Sequence, residues 1–129
     1  MAITKQRKDQ LMVWADEVIR GSSIFKDNQI CSESYNGQIA AFSVSVALSG
    51  LKPAVALYYS EKGSSEVDKK AIVELVARMY AKDTGYSGDF YRLVLRAEDE
   101  DVSELRRRVI EYGIALKLAV RTFKFMKKA

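Results

Sequence analysis

Residues 101–126, DVSELRRRVIEYGIALKLAVRTFKFM, decide how this chain is read. Leu105, Val109, Tyr112, Leu116, Ala119, Phe123 and Met126 follow one another at alternating spacings of four and three residues. That spacing keeps them on one side of an α-helix and predicts a long, proline-free C-terminal helix with a heptad-like seam. Asp101 stands three residues before Glu104, a capping-box pattern that would start the helix. Ile110, Ile114 and Leu118 widen the apolar surface to a second face, as expected for a helix packed between neighbours or against a partner.

Working back from that helix, the rest of the chain reads in the same way. One proline occurs in 129 residues, and apolar positions recur mainly three and four apart. A first helix is predicted from Thr4 to Arg20, capped by Thr4 and ended by Gly21-Ser22-Ser23, with Leu11, Trp14, Ala15 and Val18 inward. Ile24 to Ile30 reads as a connector. Ser32-Glu33-Ser34 can cap a second helix that turns Ile39, Phe42, Val46 and Leu48 to the core. Ser49-Gly50-Leu51-Lys52-Pro53 is a turn leading into a short apolar helix to Tyr59, with the proline where its missing N–H is harmless. A loop at Glu61–Ser65 and a Ser65/Asp68 cap precede a fourth helix carrying Ile72, Leu75, Val76 and Met79, which stops before Gly85. Asp89 to Ala97 fits a strand as well as a helix; a lone strand would lack a partner, so a short helix is expected. The predicted fold is all-α: residues 1–129 form a single domain, a bundle of about five to six helices with a long C-terminal one.

Composition removes most chemistry. There is no histidine and one cysteine, Cys31, so histidine-based nucleophile systems and thiolate zinc sites are excluded. Glu98-Asp99-Glu100-Asp101 lacks the spacing of a calcium loop and suits a helix N-terminus. Gly85-Tyr86-Ser87-Gly88 is no phosphate loop. The expectation is a non-enzyme without metal or cofactor. The lone cysteine, the absence of an apolar leader in the first eight residues, and the interruption of the apolar stretch 39–59 by Ser43, Ser45, Ser49, Gly50, Lys52 and Pro53 predict a cytoplasmic protein without a membrane span.

The net charge of +4 is unevenly placed: residues 1–101 carry −2 and residues 102–129 carry +6. On a continuous helix at about 100° per residue, Arg106, Lys117, Arg121, Lys124 and Lys128 share one stripe, which could follow a phosphate backbone. Cations near a helix C-terminus also offset its dipole, so the charge pattern alone leaves both roles open. The seven tyrosines read better as packing residues than as base-stacking surfaces. A helix-turn-helix reading fails at Ser49-Gly50, because the helix that follows is apolar.

Two blocks carry a resemblance. The first is Tyr35–Tyr59, chiefly Ser49-Gly50-Leu51 and Ala54-Val55-Ala56-Leu57-Tyr58. The second is Val102–Lys124, with Ser103-Glu104, Arg107-Arg108, Ile114-Ala115-Leu116, Arg121 and Phe123. Together they cover somewhat over a third of the chain and resemble the Cmr small-subunit family of type III-B CRISPR effector complexes. The chain departs from that family at Ser49, where Asn is usual, at Lys52-Pro53, and near Ala119, where the family tends to carry tryptophan; the sister subunit of type III-A complexes stays open. The resemblance implies a non-catalytic subunit of an antiviral complex that stacks in several copies along backbone-forming subunits. Its basic side chains would line the CRISPR RNA/target RNA duplex. Arg107, Arg108 and Arg121 match both the block and the charge reading; Arg106, Lys117, Lys124 and Lys128 are added by position and Lys52 by its place at a turn. The rival reading is a helical adaptor whose basic stripe meets an acidic protein.

Overall fold

The computed structural model describes residues 4–60 and 68–126. The loop and cap expected at 61–65, and Lys128, lie outside the described residues. Among these residues six helices form an all-helical bundle with one very small sheet. The order is α1 (Lys5–Arg20), β1 (Phe25–Lys26), β2 (Gln29–Ile30), α2 (Ser34–Ser49), α3 (Leu51–Ser60), α4 (Lys69–Thr84), α5 (Phe90–Arg96), α6 (Asp99–Val120) and β3 (Lys124–Phe125).

Thr4 caps α1 as read, whereas α4 is capped by Asp68 itself and α5 by Asp89, a cap the sequence reading does not name. Thr4 Oγ1 accepts from the Arg7 N–H, Asp68 accepts from the Lys70 N–H, and Asp89 accepts from the Arg92 N–H. Each satisfies one of the N–H groups that an opening helix turn leaves without a backbone partner. Ser32 Oγ accepts from the Ser34 N–H at the start of α2. The α6 expectation shifts: the helix begins at Asp99, so Asp99, Glu100 and Asp101 fill its first turn instead of capping it from Asp101. Three carboxylates there face the positive end of the helix dipole. The short helix expected between Asp89 and Ala97 forms as α5, with those two residues as its extended caps.

Two turns differ from expectation, and they are linked. Ile24–Ile30 is a hairpin, not a plain connector: β1 and β2 pair antiparallel through Phe25 with Ile30 and Lys26 with Gln29. Asp27 and Asn28 both take positive φ, 53° and 60°, as a tight two-residue hairpin turn requires. The last helix does not run on to residue 128; it ends at Val120. Thr122 Oγ1 donates back to the Ala119 carbonyl at 2.7 Å, and the chain then straightens into β3, parallel to β2. The Met126 N–H donates to the Ile30 carbonyl at 2.9 Å, and the Phe123 ring meets Phe25 edge-on at 5.4 Å. Phe123 and Met126 fitted the helical spacing, but the strand and the aromatic contact give them partners that a straight helix could not reach.

The seam itself forms the centre of the core. Leu105, Val109, Tyr112, Leu116 and Ala119 are buried, and α6 packs most extensively on α1 and α2. The second apolar face divides: Ile110 packs against the edge of the core, whereas Ile114 and Leu118 are exposed, Ile114 at 52 %. Leu48 is likewise turned out, 82 % exposed, because α2 directs Tyr35, Ile39, Phe42 and Val46 inward and Leu48 falls outside that arc. Gly50 takes φ +95° between α2 and α3, a conformation that a side chain resists.

The close approach of α2 and α6 rests on Gly113. A Cβ there would collide with Ser43 Oγ, a hydroxyl that is buried without a hydrogen-bond partner among the described residues, and would lie 3.3 Å from Ser43 Cβ. Gly113→Ala should therefore destabilise the fold by about 1–3 kcal/mol through overpacking, whereas Ser43→Ala removes an unsatisfied hydroxyl and should raise the denaturant midpoint. The Ser43→Ala/Gly113→Ala pair should recover most of the loss, so a urea-melt double-mutant cycle should show strong coupling.

Candidate nucleic-acid interface

Each predicted basic residue among the described ones, Lys128 lying outside them, has a definite place, and most are committed to the protein. Arg108 and Arg7 converge on Asp83, whose side chain is only 6 % exposed. Arg7 Nη1 lies 2.5 Å from Asp83 Oδ1, Arg108 Nη1 lies 2.7 Å from Oδ2, and the Tyr112 hydroxyl donates to Oδ2 at 2.5 Å. Arg7 also reaches Glu111 at 2.8 Å. Arg107 lies between Glu104, at 2.6 Å, and Glu111, at 3.2 Å, and Arg108 Nε donates to Glu104 at 2.9 Å. Arg7, Arg107 and Arg108 thus face Asp83, Glu104 and Glu111 in a charge-balanced cluster joining α1, α4 and α6. Arg107 and Arg108, expected at RNA phosphates, therefore have carboxylates of the protein itself as partners.

Burial by itself would raise the Asp83 carboxyl; the hydrogen bonds from Arg7, Tyr112 and Arg108 outweigh it and hold the group at about 2. The same burial, followed by the bond to Asp83, pushes the Tyr112 hydroxyl well above its ordinary range.

Two further cations serve helix ends. Lys52 Nζ donates to the Ala97 carbonyl at 2.6 Å, just past α5, and Arg106 Nη2 donates to the Ala47 carbonyl at 3.2 Å in the last turn of α2. Both bond carbonyls at helix C-termini, where the partial charge is negative.

The residues left form a different group from the one the helical wheel drew. Arg121 closes α6 and donates through Nε to Asn36 Oδ1 at 3.3 Å, near the start of α2. Lys117 is one turn earlier on α6, half-buried, and its ammonium makes no hydrogen bond or ion pair among the described residues. Lys124 has left the helix for β3 and is exposed. There the sheet gives it a neighbour that the sequence reading missed. Lys26 pairs with Gln29, and Gln29 pairs with Lys124. These three share the sheet face opposite Phe25, Ile30 and Phe125, with the two lysines two strand spacings, about 10 Å, apart. The Asp27-Asn28 turn was the signal in the sequence that could have found the hairpin and, with it, Lys26.

Next to this group, α2 contains no charged residue over its full length and exposes Gly37, Ala41, Val44 and Leu48 along one side. No set of three cysteine or acidic side chains that could hold a metal occurs among the described residues. No described helix is long and apolar enough to cross a membrane. No family model, curated protein or solved structure matches the chain.

The Asp83 cluster makes a pH prediction. A free aspartate titrates near about 3.9, and the folded carboxyl is held at about 2. The stabilisation is therefore present above about pH 4 and disappears as pH falls through 2, a difference of about 2–3 kcal/mol. Asp83→Asn should lose about 3–5 kcal/mol at neutral pH by leaving Arg7 and Arg108 without their shared carboxylate. Its thermal midpoint should also fall less steeply between pH 4 and 2 than that of the wild type.

Proposed function

We propose that this chain is a non-catalytic structural subunit of a type III CRISPR RNA-guided effector complex in antiviral defence. In this reading it holds the phosphate backbone of the CRISPR RNA/target RNA duplex through Lys26, Lys117, Arg121 and Lys124. Supporting it are the two sequence blocks that resemble the Cmr small-subunit family. The observation that carries it is the cation group at the C-terminal end of α6 and the adjoining sheet, none of whose members is bonded to a carboxylate among the described residues. Contacts of this kind fix register on a strand without reading its bases. Arg106 and Lys52 stand at the edge of the role, each with one donor spent on a helix end. The uncharged face of α2 would lie against backbone subunits or a further copy of the chain.

One observation favours the adaptor reading instead. Val44 and Leu48 on α2, with Ile114 and Leu118 on α6, are exposed apolar side chains of the kind that protein partners cover. In that case the same cations would meet an acidic protein surface beside the apolar contact.

Salt dependence separates the two. Lys117→Ala/Arg121→Ala/Lys124→Ala should keep its helical circular dichroism and weaken binding to a short RNA duplex. It should also flatten the slope of log K against log salt by about 1 for each phosphate that is no longer neutralised. Arg107→Ala should leave that slope unchanged, since its charge is already balanced by Glu104 and Glu111. Absence of RNA association by the wild type at low salt, alone and in its complex, would rule out the RNA role.

A further inference from the structure

Away from the α6 cations, α3 and α5 build an aromatic surface edged with positive charge. Tyr59, near the end of α3, and Tyr91, at the start of α5, stack with ring centroids 4.2 Å apart and planes 6° from parallel. Lys70 Nζ lies 5.1 Å from the Tyr59 centroid, so Tyr59 is engaged by both a ring and a cation. Among the described residues no second ring or cation meets Tyr91. The pair lies at the edge of the core: Tyr59 is 37 % exposed and Tyr91 half-buried against it, whereas Tyr58 is buried against Phe42.

A cavity of about 360 Å³ opens beside this stack, lined by Tyr59, Asp89, Tyr91, Arg92, Leu95 and Arg96. Its volume falls within the range of about 300–1,000 Å³ usual for small-molecule sites. Leu95 stands one helical turn after Tyr91, and Arg96 one turn after Arg92, so α5 supplies an apolar floor and a cationic wall from adjacent rows. Asp89 is the one carboxylate in the lining. It accepts from the N–H of Arg92 at the start of α5 and lies 3.6 Å from the Arg92 guanidinium. The Arg96 side chain is exposed and makes no hydrogen bond or ion pair among the described residues. A flat aromatic face, an apolar floor and an arginine with its donors unspent are the parts needed to hold a nucleobase and the phosphate attached to it.

We propose that this cavity is a nucleotide site: a purine base extends the Tyr59–Tyr91 stack over Tyr91, and its phosphate is met by Arg96 with Arg92 beside it. The site is separate from the Lys26/Lys117/Arg121/Lys124 group and takes an unpaired base, so it adds a contact that duplex binding does not use. The same chemistry is offered by a free nucleotide and by an unpaired nucleotide in a strand.

The full chain would be titrated with AMP, with adenosine and with an eight-residue oligoadenylate, observed by proton NMR and by fluorescence anisotropy of labelled oligomer. In the wild type the adenine H2 and H8 signals should move upfield, as they do over an aromatic face, and AMP should bind more tightly than adenosine. Tyr91→Leu, which keeps apolar bulk, should weaken the oligomer about tenfold, Tyr91→Phe should bind as the wild type, and Arg96→Gln should erase the preference for AMP over adenosine. Shifts with AMP would assign a site for free nucleotide as well as strand; shifts with the oligomer alone would assign an unpaired base in a strand. The Lys117/Arg121/Lys124 triple alanine variant should retain these base shifts even where it no longer binds a duplex, so failure of the preceding reading and of this one are distinguishable. No adenine shift with either probe, or a Tyr91→Leu variant that binds as the wild type, would overturn the proposal.

Discussion

The buried carboxylate of Asp83 is the interaction on which the arrangement of charge in this protein depends. It sits near the end of α4 and takes donors from α1, through Arg7, and from α6, through Arg108 and Tyr112. A carboxylate out of water is expensive unless its oxygens are filled, and here Oδ2 alone accepts from Arg7, Arg108 and Tyr112. Three helices are thereby fixed in relative rotation at one end of the bundle. The apolar seam of α6 would tolerate small rotations; the Asp83 cluster would not.

That cluster also sorts the arginines. Arg106, Arg107 and Arg108 are consecutive, so on a helix they point in three directions about 100° apart. One ends in the buried cluster, one on its exposed edge with Glu104 and Glu111, and one on the last turn of α2. A run that looks like a single basic patch in the sequence is divided among three structural tasks. The cations left over lie at the opposite end of α6, where the helix gives way to β3.

The other end of the molecule is organised by the hairpin. Its tight turn at Asp27-Asn28 places β2 where the chain after α6 can pair with it, and Phe25, Phe123 and Arg20 close over the junction, the guanidinium lying 5.0 Å from the Phe123 ring. This small sheet removes Lys124 from the α6 stripe and sets it beside Lys26. The expected stripe of five residues on one helix thus becomes a group drawn from a helix end and two strands. The aromatic surface between α3 and α5 arises in a similar way. Nothing in the spacing of Tyr59 and Tyr91, 32 residues apart, marks them as partners until the two helices meet.

The helices were legible because each has local causes: the cap at Thr4, a glycine at Gly50, and apolar positions whose period matches the turn of a helix; the caps at Asp68 and Asp89 emerged only in the structure. The buried seam on α6 from Leu105 to Ala119 followed from the same periodicity, as did the absence of histidine chemistry from composition. The end of α6 was not legible, because Phe123 and Met126 keep the helical spacing and the force that pulls them away is a strand about 95 residues earlier in the chain. Nor could the sequence say that Arg106 and Arg108 are spent, since that depends on Ala47 and Asp83 reaching them from other helices; only Arg107 has its partners, Glu104 and Glu111, within one turn of α6. What the sequence determined by itself was the class of fold and the sign of the charge, both set by neighbours along the chain. Which charges face solvent, and which rings stack, only the tertiary structure decided, because burial and pairing belong to residues far apart in sequence.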